Sequence, residues 1–125
     1  MIAVDTSAVV AILEKEDDAG RYIAALEADD APLMSAASFV ELNAVMRHKR
    51  GAGVVAIVER FVEAAAIGIE PLTPAQARLA VEGYLRFASL NFGDAFAYAL
   101  AREKGIPLLF KGEDFAKTDV LMCQA

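Results

Sequence analysis

The first thirteen residues constrain the fold of this chain most strongly. Residues 2–4 (Ile-Ala-Val) form a short apolar run, which Asp5, Thr6 and Ser7 interrupt with three residue types that favour helix N-termini. Residues 8–13 are apolar on nearly every side, which predicts a helix covered by protein over much of its surface. We therefore predict a buried strand that leads into a helix, with Asp5 at the carboxyl end of the strand.

Two interpretations of Asp5 follow from that position. In open parallel sheets, ligands bind beyond the carboxyl ends of the strands, which would make Asp5 a candidate functional residue. Alternatively, Asp5 is only a helix cap, a role worth about 0.5–2 kcal/mol. This stretch alone supports both interpretations equally.

The length and composition indicate one domain, residues 1–125. The chain has 125 residues, 57% of them hydrophobic, and no linker-like segment divides it. Charged residues interrupt the apolar runs well before the roughly 18 residues that a membrane span needs, so we expect no membrane association. The single cysteine, Cys123, cannot form an internal disulfide, and no signal peptide pattern precedes the first strand. We expect a cytoplasmic protein.

The charge distribution argues against a protein that coats nucleic acid by bulk attraction. The formal net charge is −6, and the only dense cationic cluster is residues 47–50 (Arg-His-Lys-Arg). That cluster follows a helical pattern, where positive charge complements the helix dipole, and we interpret it mainly in that way. A local basic patch remains an open alternative. His48 is the only histidine, and we expect it at the surface because it lacks partners for a zinc site.

Short apolar runs alternate with helical patterns along the rest of the chain. We predict helices from about Asp18 to Asp29, Ser35 to Gly51, Val54 to before Gly68, Thr73 to Phe87 and Asn91 to Gly105, and strands at residues 32–34, 69–72, 106–110 and 120–122. Pro71 places the run at 69–72 at a sheet edge or strand end. This alternation is typical of an α/β domain with a mostly parallel sheet.

Several carboxylates are expected at one edge of that sheet. Right-handed crossovers bring strand ends and helix starts together, which places Asp5, Glu41, Asp94 and the pair Glu113-Asp114 on the same edge. We expect most other acids at far helix ends or on solvated faces, including Glu14, Glu16, Asp17, Asp29, Asp30, Glu59 and Glu63. The converging acids differ from these because their sequence neighbours are small or apolar.

A cluster of carboxylates in such surroundings takes up protons or binds a cation. Oxygen ligands without histidine or thiol suit Mg²⁺ or Mn²⁺, and the chemistry that follows is hydrolysis of a phosphate ester by metal-activated water. Each residue also has a purely structural interpretation. Asp94 could stabilise a helix dipole, and Glu41 could be a buried hydrogen-bonding residue.

Four motifs in order carry a resemblance across essentially the whole chain. They are residues 4–8 (Val-Asp-Thr-Ser-Ala), 38–41 (Ser-Phe-Val-Glu), 90–94 (Leu-Asn-Phe-Gly-Asp) with 97–99, and 108–115 (Leu-Leu-Phe-Lys-Gly-Glu-Asp-Phe) with Thr118-Asp119. In order and spacing these motifs resemble a PIN-domain ribonuclease of the VapC toxin type. The resemblance implies a three-layer α/β/α fold with a central, mostly parallel sheet.

The same resemblance implies roles for the acids. Asp5 and Asp94 would be the principal metal ligands, Glu41 and Asp114 would complete the acidic site, and Thr6 or Ser7 would support it. The implied activity is endoribonuclease cleavage of RNA with Mg²⁺ or Mn²⁺, and the implied partner is a small VapB-like antitoxin. The fourth acid is the least certain position, because Glu113 and Asp119 lie close to Asp114 in sequence.

The apolar residues of one helix predict a protein partner. Apolar residues span more of its circumference than one core-facing stripe needs: Val54, Val55, Ile57, Val58, Phe61 and Val62. We expect a homodimer, and a groove near this helix that accepts an amphipathic antitoxin segment. The alternative is that the helix is central in the monomer.

Two other functions compete with the ribonuclease. A non-catalytic interaction module could use the same fold, although the full set of acids argues against it. A phosphatase with Asp5 as the nucleophile usually needs a second aspartate two residues later, where this chain has Ser7. Incubation with RNA and with a generic phosphomonoester, with and without Mn²⁺, would distinguish the three.

Overall fold

Four short parallel strands form the centre of the molecule. The structure, a computed structural model, describes residues 1–123. In chain order the elements are β1 (Ala3–Val4), α1 (Thr6–Leu13), α2 (Ala19–Glu27), β2 (Leu33–Ser35), α3 (Ala36–Arg50), α4 (Val54–Ala64), β3 (Gly68–Glu70), α5 (Pro74–Arg86), α6 (Asp94–Lys104) and β4 (Leu108–Leu109). The strand order is β3-β2-β1-β4, so β1 is central.

The register of β1 places Asp5 at the edge of the sheet. Ala3 pairs with Leu33 of β2 and with Leu108 of β4, and the Asp5 amide donates to the Leu109 carbonyl at 2.9 Å. Helix α1 begins at Thr6, the residue after Asp5. The side chain of Asp5 therefore lies beyond the carboxyl end of the central strand, as predicted.

Alternate strand residues face two separate layers of helices. Val4, Met34 and Leu109 belong to a core shared with α1 to α4, whereas Ala3, Leu33 and Leu108 belong to a core shared with α6. Because side chains alternate along a strand, this division is what a sheet covered on both faces requires. The predicted α/β/α arrangement with a parallel sheet is confirmed. No helix within residues 1–123 has the length and apolar character to cross a membrane.

Most of the predicted helix ends are confirmed, although the residue at the start of one helix makes no capping hydrogen bond. Ser35 caps α3, Thr73 caps α5 through the Gln76 amide at 3.1 Å, and Gly105 ends α6 in the left-handed conformation. Asp18 occupies the N-cap position of α2, but its side chain makes no capping hydrogen bond. Its carboxylate instead accepts from the Tyr22 hydroxyl and from a lysine on a distant loop.

The predicted strands are shorter in the structure. The run at 69–72 becomes the edge strand β3, which ends before Pro71, and the run at 106–110 contributes only Leu108–Leu109. The expectation of a strand at 120–122 is wrong, because only Met122 forms an isolated bridge with Leu108. Since β4 has two residues, it offers little length for a further strand to pair with.

Candidate active site

The four acids predicted from the sequence line one cleft of about 330 Å³. The cleft lies where β1 and β4 end and where α1, α3 and α6 begin. Its lining consists of Asp5, Thr6, Ser7, Val10, Glu16, Glu41, Val45, Asn91, Asp94, Lys111 and Asp114. Glu113 and Asp119 are absent from it. The topology therefore brings Asp5, Glu41, Asp94 and Asp114 together.

Asp5 combines both roles that its sequence position suggested. One carboxylate oxygen, Oδ2, accepts from the Ser7 amide at 3.0 Å and from the Ser7 hydroxyl at 2.6 Å, which caps α1. The other oxygen, Oδ1, is buried and has no hydrogen-bond partner within the described structure. A buried carboxylate oxygen is costly unless a hydrogen-bond donor or a cation pairs with it.

The electrostatics of Asp5 match this geometry. Burial raises the pKa of Asp5 to about 6, against the hydrogen bonds from Ser7, which lower it, and the nearby charge of Glu41 raises it further. The uncompensated environment therefore disfavours the ionised form. An approaching cation would reverse that effect because it stabilises the carboxylate.

Asp94 is fixed at the start of α6 by Asn91. The Asn91 amide donates to Asp94 Oδ2 at 3.0 Å, and the Asp94 amide donates to Asn91 Oδ1 at 2.9 Å. This reciprocal pair resembles a capping box and leaves little freedom to the carboxylate. Burial raises the pKa of Asp94 to about 7; the Asn91 amide opposes the rise, and Asp114 and Asp5 add to it.

Asp114 reaches Asp94 from the loop after β4. The two carboxyl groups are close enough to share a hydrogen bond, which is one cause of the raised pKa of Asp94. Gly112, with φ of 103°, turns the loop, and the Ser89 hydroxyl donates to the Asp114 carbonyl at 2.7 Å. The neighbouring Glu113 is exposed and is not part of the cleft lining.

Glu41 lies directly against the backbone of Gly93. A Cβ atom on Gly93 would lie 1.6 Å from Glu41 Oε2 and 2.5 Å from its carboxyl carbon. Gly93 has an ordinary helical conformation, with φ of −64° and ψ of −38°, so backbone freedom is not what this position needs. The glycine instead leaves room for the Glu41 carboxylate beside Asp94.

Hydroxyl groups connect the elements around the cleft. The Thr6 hydroxyl donates to the Ser38 carbonyl at 3.1 Å and joins the start of α1 to α3. The Ser7 hydroxyl, which donates to Asp5, accepts from the Lys111 amide at 3.0 Å. The Thr6 hydroxyl therefore supports the site by joining α1 to α3, whereas the Ser7 hydroxyl contacts an acid of the cleft directly.

Two charged residues of the cleft were missed by the sequence reasoning. The Lys111 ammonium donates to Glu16 and, at 3.0 Å, to Asp18, and all three groups remain partly exposed. The expectation that Glu16 lies on a far, solvated face is wrong, because Lys15 adopts a positive φ of 55° after α1 and the chain turns back to the cleft. This ion pair joins residues 95 positions apart, a separation for which no local pattern exists.

Asp119 serves a different cluster on the far part of α6. It accepts from the buried Tyr98 hydroxyl at 2.8 Å, from Arg102 at 2.5 Å and from Arg86 at 3.3 Å. Burial acts to raise the pKa of Asp119, but Tyr98 and Arg102 outweigh it and lower the pKa below its ordinary value. Asp119 therefore anchors the segment after the Asp114 loop and lies outside the cleft.

The acids are gathered but do not form a ready-made metal shell. Within residues 1–123, no set of three or more Asp, Glu, His or Cys side chains has the arrangement of a metal site. The raised pKa of Asp94 favours its neutral form, whereas a cation binds the ionised carboxylate. The donor set is made only of oxygens, which is the type that Mg²⁺ and Mn²⁺ prefer.

Comparison with known proteins connects this cleft with one family. Residues 2–121 match the PIN domain family. Ribonuclease VapC28 of Mycobacterium tuberculosis is 44% identical over 124 residues, which cover 94% of this chain and 93% of the relative. Ribonuclease VapC30 of the same species is 41% identical over 125 residues, which cover 95% of each chain.

Solved structures share the fold at lower identity. M. tuberculosis VapC20, described as a sarcin-ricin loop cleaving toxin, superposes with a TM-score of 0.83 at 20% identity and covers 100% of both chains. A toxin–antitoxin complex from Klebsiella pneumoniae gives a TM-score of 0.74 at 18% identity, with 100% of this chain and 98% of that chain covered. The chain belongs to the PIN domain family and, within it, to the VapC ribonucleases.

Proposed function

We propose that this protein is a Mg²⁺- or Mn²⁺-dependent endoribonuclease and the toxin of a toxin–antitoxin pair. The observation that carries the metal dependence is the buried, partnerless Oδ1 atom of Asp5 at the floor of an acidic cleft. Membership of the VapC ribonucleases supports RNA as the substrate. The related structures that contain an antitoxin support the toxin role.

The residues of the cleft fit a hard divalent cation in their chemistry. Asp5 and Asp94 would hold the ion, with Glu41 and Asp114 completing the acidic environment. When bound, the ion would activate water and neutralise charge on the phosphate undergoing hydrolysis. The raised pKa values of Asp5 and Asp94 mean that ion binding competes with protons, so the affinity for the metal should fall as the pH falls below about 7.

The protein contributes by fixing the positions of the acids. Ser7 holds Asp5, Asn91 holds Asp94, and the backbone of Gly93 leaves the space that Glu41 occupies. These groups belong to rigid helix starts, which reduces the reorganisation needed when the substrate binds. Asp114 adds to the raised pKa of Asp94, so the bound cation would also relieve the repulsion between these neighbouring groups.

A groove between α2 and α4 is the proposed site of the antitoxin. Its volume is about 330 Å³, and Ile23, Leu26 and Phe61 contribute to its lining. On α4, the residues Val54, Val58 and Val62 are buried in the core, whereas Val55 and Ile57 are exposed. An amphipathic helix from a small partner suits a groove of this kind.

A second apolar face, on α5 and α6, is the proposed homodimer surface. Its groove of about 400 Å³ is lined by Ala77, Ala80, Val81, Tyr84, Leu85, Phe92, Ala95 and Phe96. Leu85 is 78% exposed and Phe92 is 73% exposed, which is unfavourable for an isolated monomer. Sedimentation of the wild type and of Leu85→Glu at micromolar concentration tests this proposal, and a monomeric wild type would contradict it.

Cleavage assays test the proposed activity directly. Purified protein is incubated with single-stranded RNA or with a generic phosphomonoester, in EDTA, Mg²⁺ or Mn²⁺. We expect cleavage of RNA only with a divalent cation and no hydrolysis of the monoester. Hydrolysis of the monoester would favour a phosphatase, an activity already disfavoured because Ser7 stands where a second aspartate is needed. Absence of all cleavage would favour a non-catalytic interaction module.

A further inference from the structure

A cationic surface at the end of α3 has no role in the site described above. Arg47, His48, Lys49 and Arg50 are all exposed. Arg50 donates to Glu14 at 2.8 Å, but within residues 1–123 no carboxylate lies within 4.0 Å of the other three side chains. We call Arg47, His48 and Lys49 the α3 tract.

The α3 tract is centred on the face of α3 that lines the acidic cleft, with Arg47 and Lys49 on either side of that face. Glu41 and Val45 belong to the cleft, and His48 follows them at the spacing of one helix face. Ala44, Arg47 and His48 border an adjacent open hollow of about 570 Å³. With a rise of 1.5 Å per residue, Arg47 lies about 9 Å beyond Glu41 along the helix axis. His48 therefore continues the cleft face of α3, and Arg47 and Lys49 flank it.

A polyanionic substrate needs positive charge near this cleft. The cleft itself is acidic, the chain has a net charge of −6, and the only cation in the lining, Lys111, is held by Glu16 and Asp18. Phosphate groups outside the cleft would be repelled without a compensating cationic surface. Arg47 and Lys49 of the α3 tract provide exposed cations that begin about 9 Å beyond Glu41 along the helix axis.

We infer that the α3 tract binds the backbone phosphates of single-stranded RNA next to the phosphate held in the cleft. This inference rests on the proposed ribonuclease function and names the surface that positions its substrate. The complement to the helix dipole explains positive charge in the last turn of α3. That complement leaves Arg47 and Lys49 without a carboxylate partner among the described residues, so both remain available to phosphate groups.

The tract would make binding depend on the length of the RNA. Because its cations begin about 9 Å from Glu41, a dinucleotide centred in the cleft would not reach them, whereas a longer strand would. Contacts to phosphates carry no sequence information, so the tract would orient the strand and raise affinity for any sequence.

Binding measurements with a matched control test this inference. Fluorescence anisotropy of a labelled ten-nucleotide RNA is measured in EDTA over a range of salt concentrations. Arg47→Gln combined with Lys49→Gln is compared with Arg60→Gln combined with Arg78→Gln. All four side chains are exposed, and both double variants remove two positive charges. We expect about tenfold weaker binding for the tract variant and a salt slope smaller by about 1.4, since each contact to a single strand contributes about 0.7.

The same variants are then assayed for RNA cleavage with Mn²⁺. We expect the tract variant to raise KM for the ten-nucleotide RNA with little change in kcat, and to leave cleavage of a dinucleotide unchanged. Equal binding and equal KM for the two double variants would overturn the inference while leaving the ribonuclease function intact. A wild type that neither binds nor cleaves RNA would overturn both. Loss of antitoxin binding in place of RNA binding would assign the tract to an acidic protein segment and would also overturn it.

Discussion

Two aspartates, one at the start of α6 and one that contacts it, have opposite electrostatic surroundings. Asp94, in the first turn, faces other carboxylates, and burial raises its pKa to about 7. Asp119 contacts the same helix through Tyr98 and Arg102, and these partners, against the effect of burial, lower its pKa. Both residues are aspartates, but of the two only Asp119 accepts hydrogen bonds from arginine side chains within the described structure.

This difference separates an acid that is paired within the fold from one that we propose to bind a cation. The Asp119 cluster is complete without any further group, since two arginines and a tyrosine hydroxyl satisfy its carboxylate. In the cleft, by contrast, Asp5 Oδ1 is buried without a hydrogen-bond partner among the described residues. A group of acids that weakens the fold is expected to persist where it serves binding or catalysis.

The largest expected effect comes from Asp5→Asn. The substitution keeps the shape of the side chain and removes a charge from the cleft, so we expect RNA cleavage to fall below detection while the fold remains intact. Without metal, the unfolding midpoint should stay the same or rise by a few degrees, because like-charge repulsion is relieved. An Asp5→Asn protein that cleaves RNA at the wild-type rate would refute the assignment.

The control for that experiment is Asp119→Asn, because Asp119 is the aspartate that forms ion pairs with arginines. Here the substitution removes the charge that compensates Arg86 and Arg102, so the unfolding midpoint should fall. Opposite shifts of the midpoint in the two variants, measured in EDTA, would confirm the comparison. A fall in both would show that Asp5 contributes to the fold in the same way as Asp119.

A second prediction ranks the acids after β4. Asp114→Ala should reduce cleavage by about 100-fold or more, since Asp114 lies against Asp94 in the cleft. Asp119→Ala should reduce it by about tenfold through displacement of the loop. Glu113→Ala should change it by less than about twofold, because Glu113 is exposed outside the lining. Single-turnover rates at saturating Mn²⁺ test the order, and the largest loss in Glu113→Ala would contradict it.

Gly93→Ala should damage activity without damaging the fold. Its Cβ would displace the Glu41 carboxylate, which can move into the open cleft, so we expect cleavage to fall about 10–100-fold. Because the backbone at Gly93 is helical, alanine is tolerated and the free energy of unfolding should change by less than about 1 kcal/mol.

Gly53→Ala is the matched control for this variant. Gly53 also precedes a helix with φ of −64°, but a Cβ there would meet no atom within 4 Å. Cleavage and stability should both be close to wild type. If Gly93→Ala also retained full activity, the position of Glu41 would not matter for the reaction.

The smallest expected effect is on stability as a function of pH. The pKa values of Asp5 and Asp94 are raised in the folded state, so the native protein binds more protons between about pH 4 and 7. The free energy of unfolding contributed by these groups therefore falls as the pH rises through that window. In EDTA, any stability gained by Asp5→Asn should be largest above pH 7 and should vanish near pH 4.

Asp119 should show the opposite dependence. Its lowered pKa contributes stability that is present above about pH 4 and is lost as the pH falls through the folded value. Urea unfolding at several pH values, with and without Mn²⁺, separates the two contributions. Excess Mn²⁺ should stabilise the wild type by about 2.7 kcal/mol at 100-fold over Kd and should have little effect on Asp5→Asn.

The sequence predicted the elements of the site that depend on local pattern. Asp5, Glu41 and Asp94 lie near the starts of helices, and the alternation of strands and helices was enough to place them at one edge. The choice of Asp114 over Glu113 came from family resemblance, and the structure places Asp114 in the cleft. These positions follow from the way each strand leads into the next helix. The apolar periodicity of the sequence is enough to infer that order of elements.

Contacts between distant side chains could not be predicted in this way. The pairing of Lys111 with Glu16, the fit of Glu41 against Gly93 and the convergence of Asp119 with Tyr98 all depend on packing between elements far apart in sequence. A charged residue in isolation has many compatible partners, and only the folded geometry selects one. The tertiary structure therefore determines which acids are paired with a cation or a hydrogen-bond donor.

The parallel register of the central sheet has a consequence for synthesis of the protein on the ribosome. β1 pairs with β4, and the Ser7 hydroxyl that holds Asp5 accepts from Lys111, 104 residues later in the chain. Such distant contacts form late in folding, because the intervening chain must first be available. A nascent chain that has not yet exposed β4 and its following loop lacks Asp114 and the contact that holds Ser7. The arrangement of the cleft would therefore be complete only after β4 and its following loop have been synthesised.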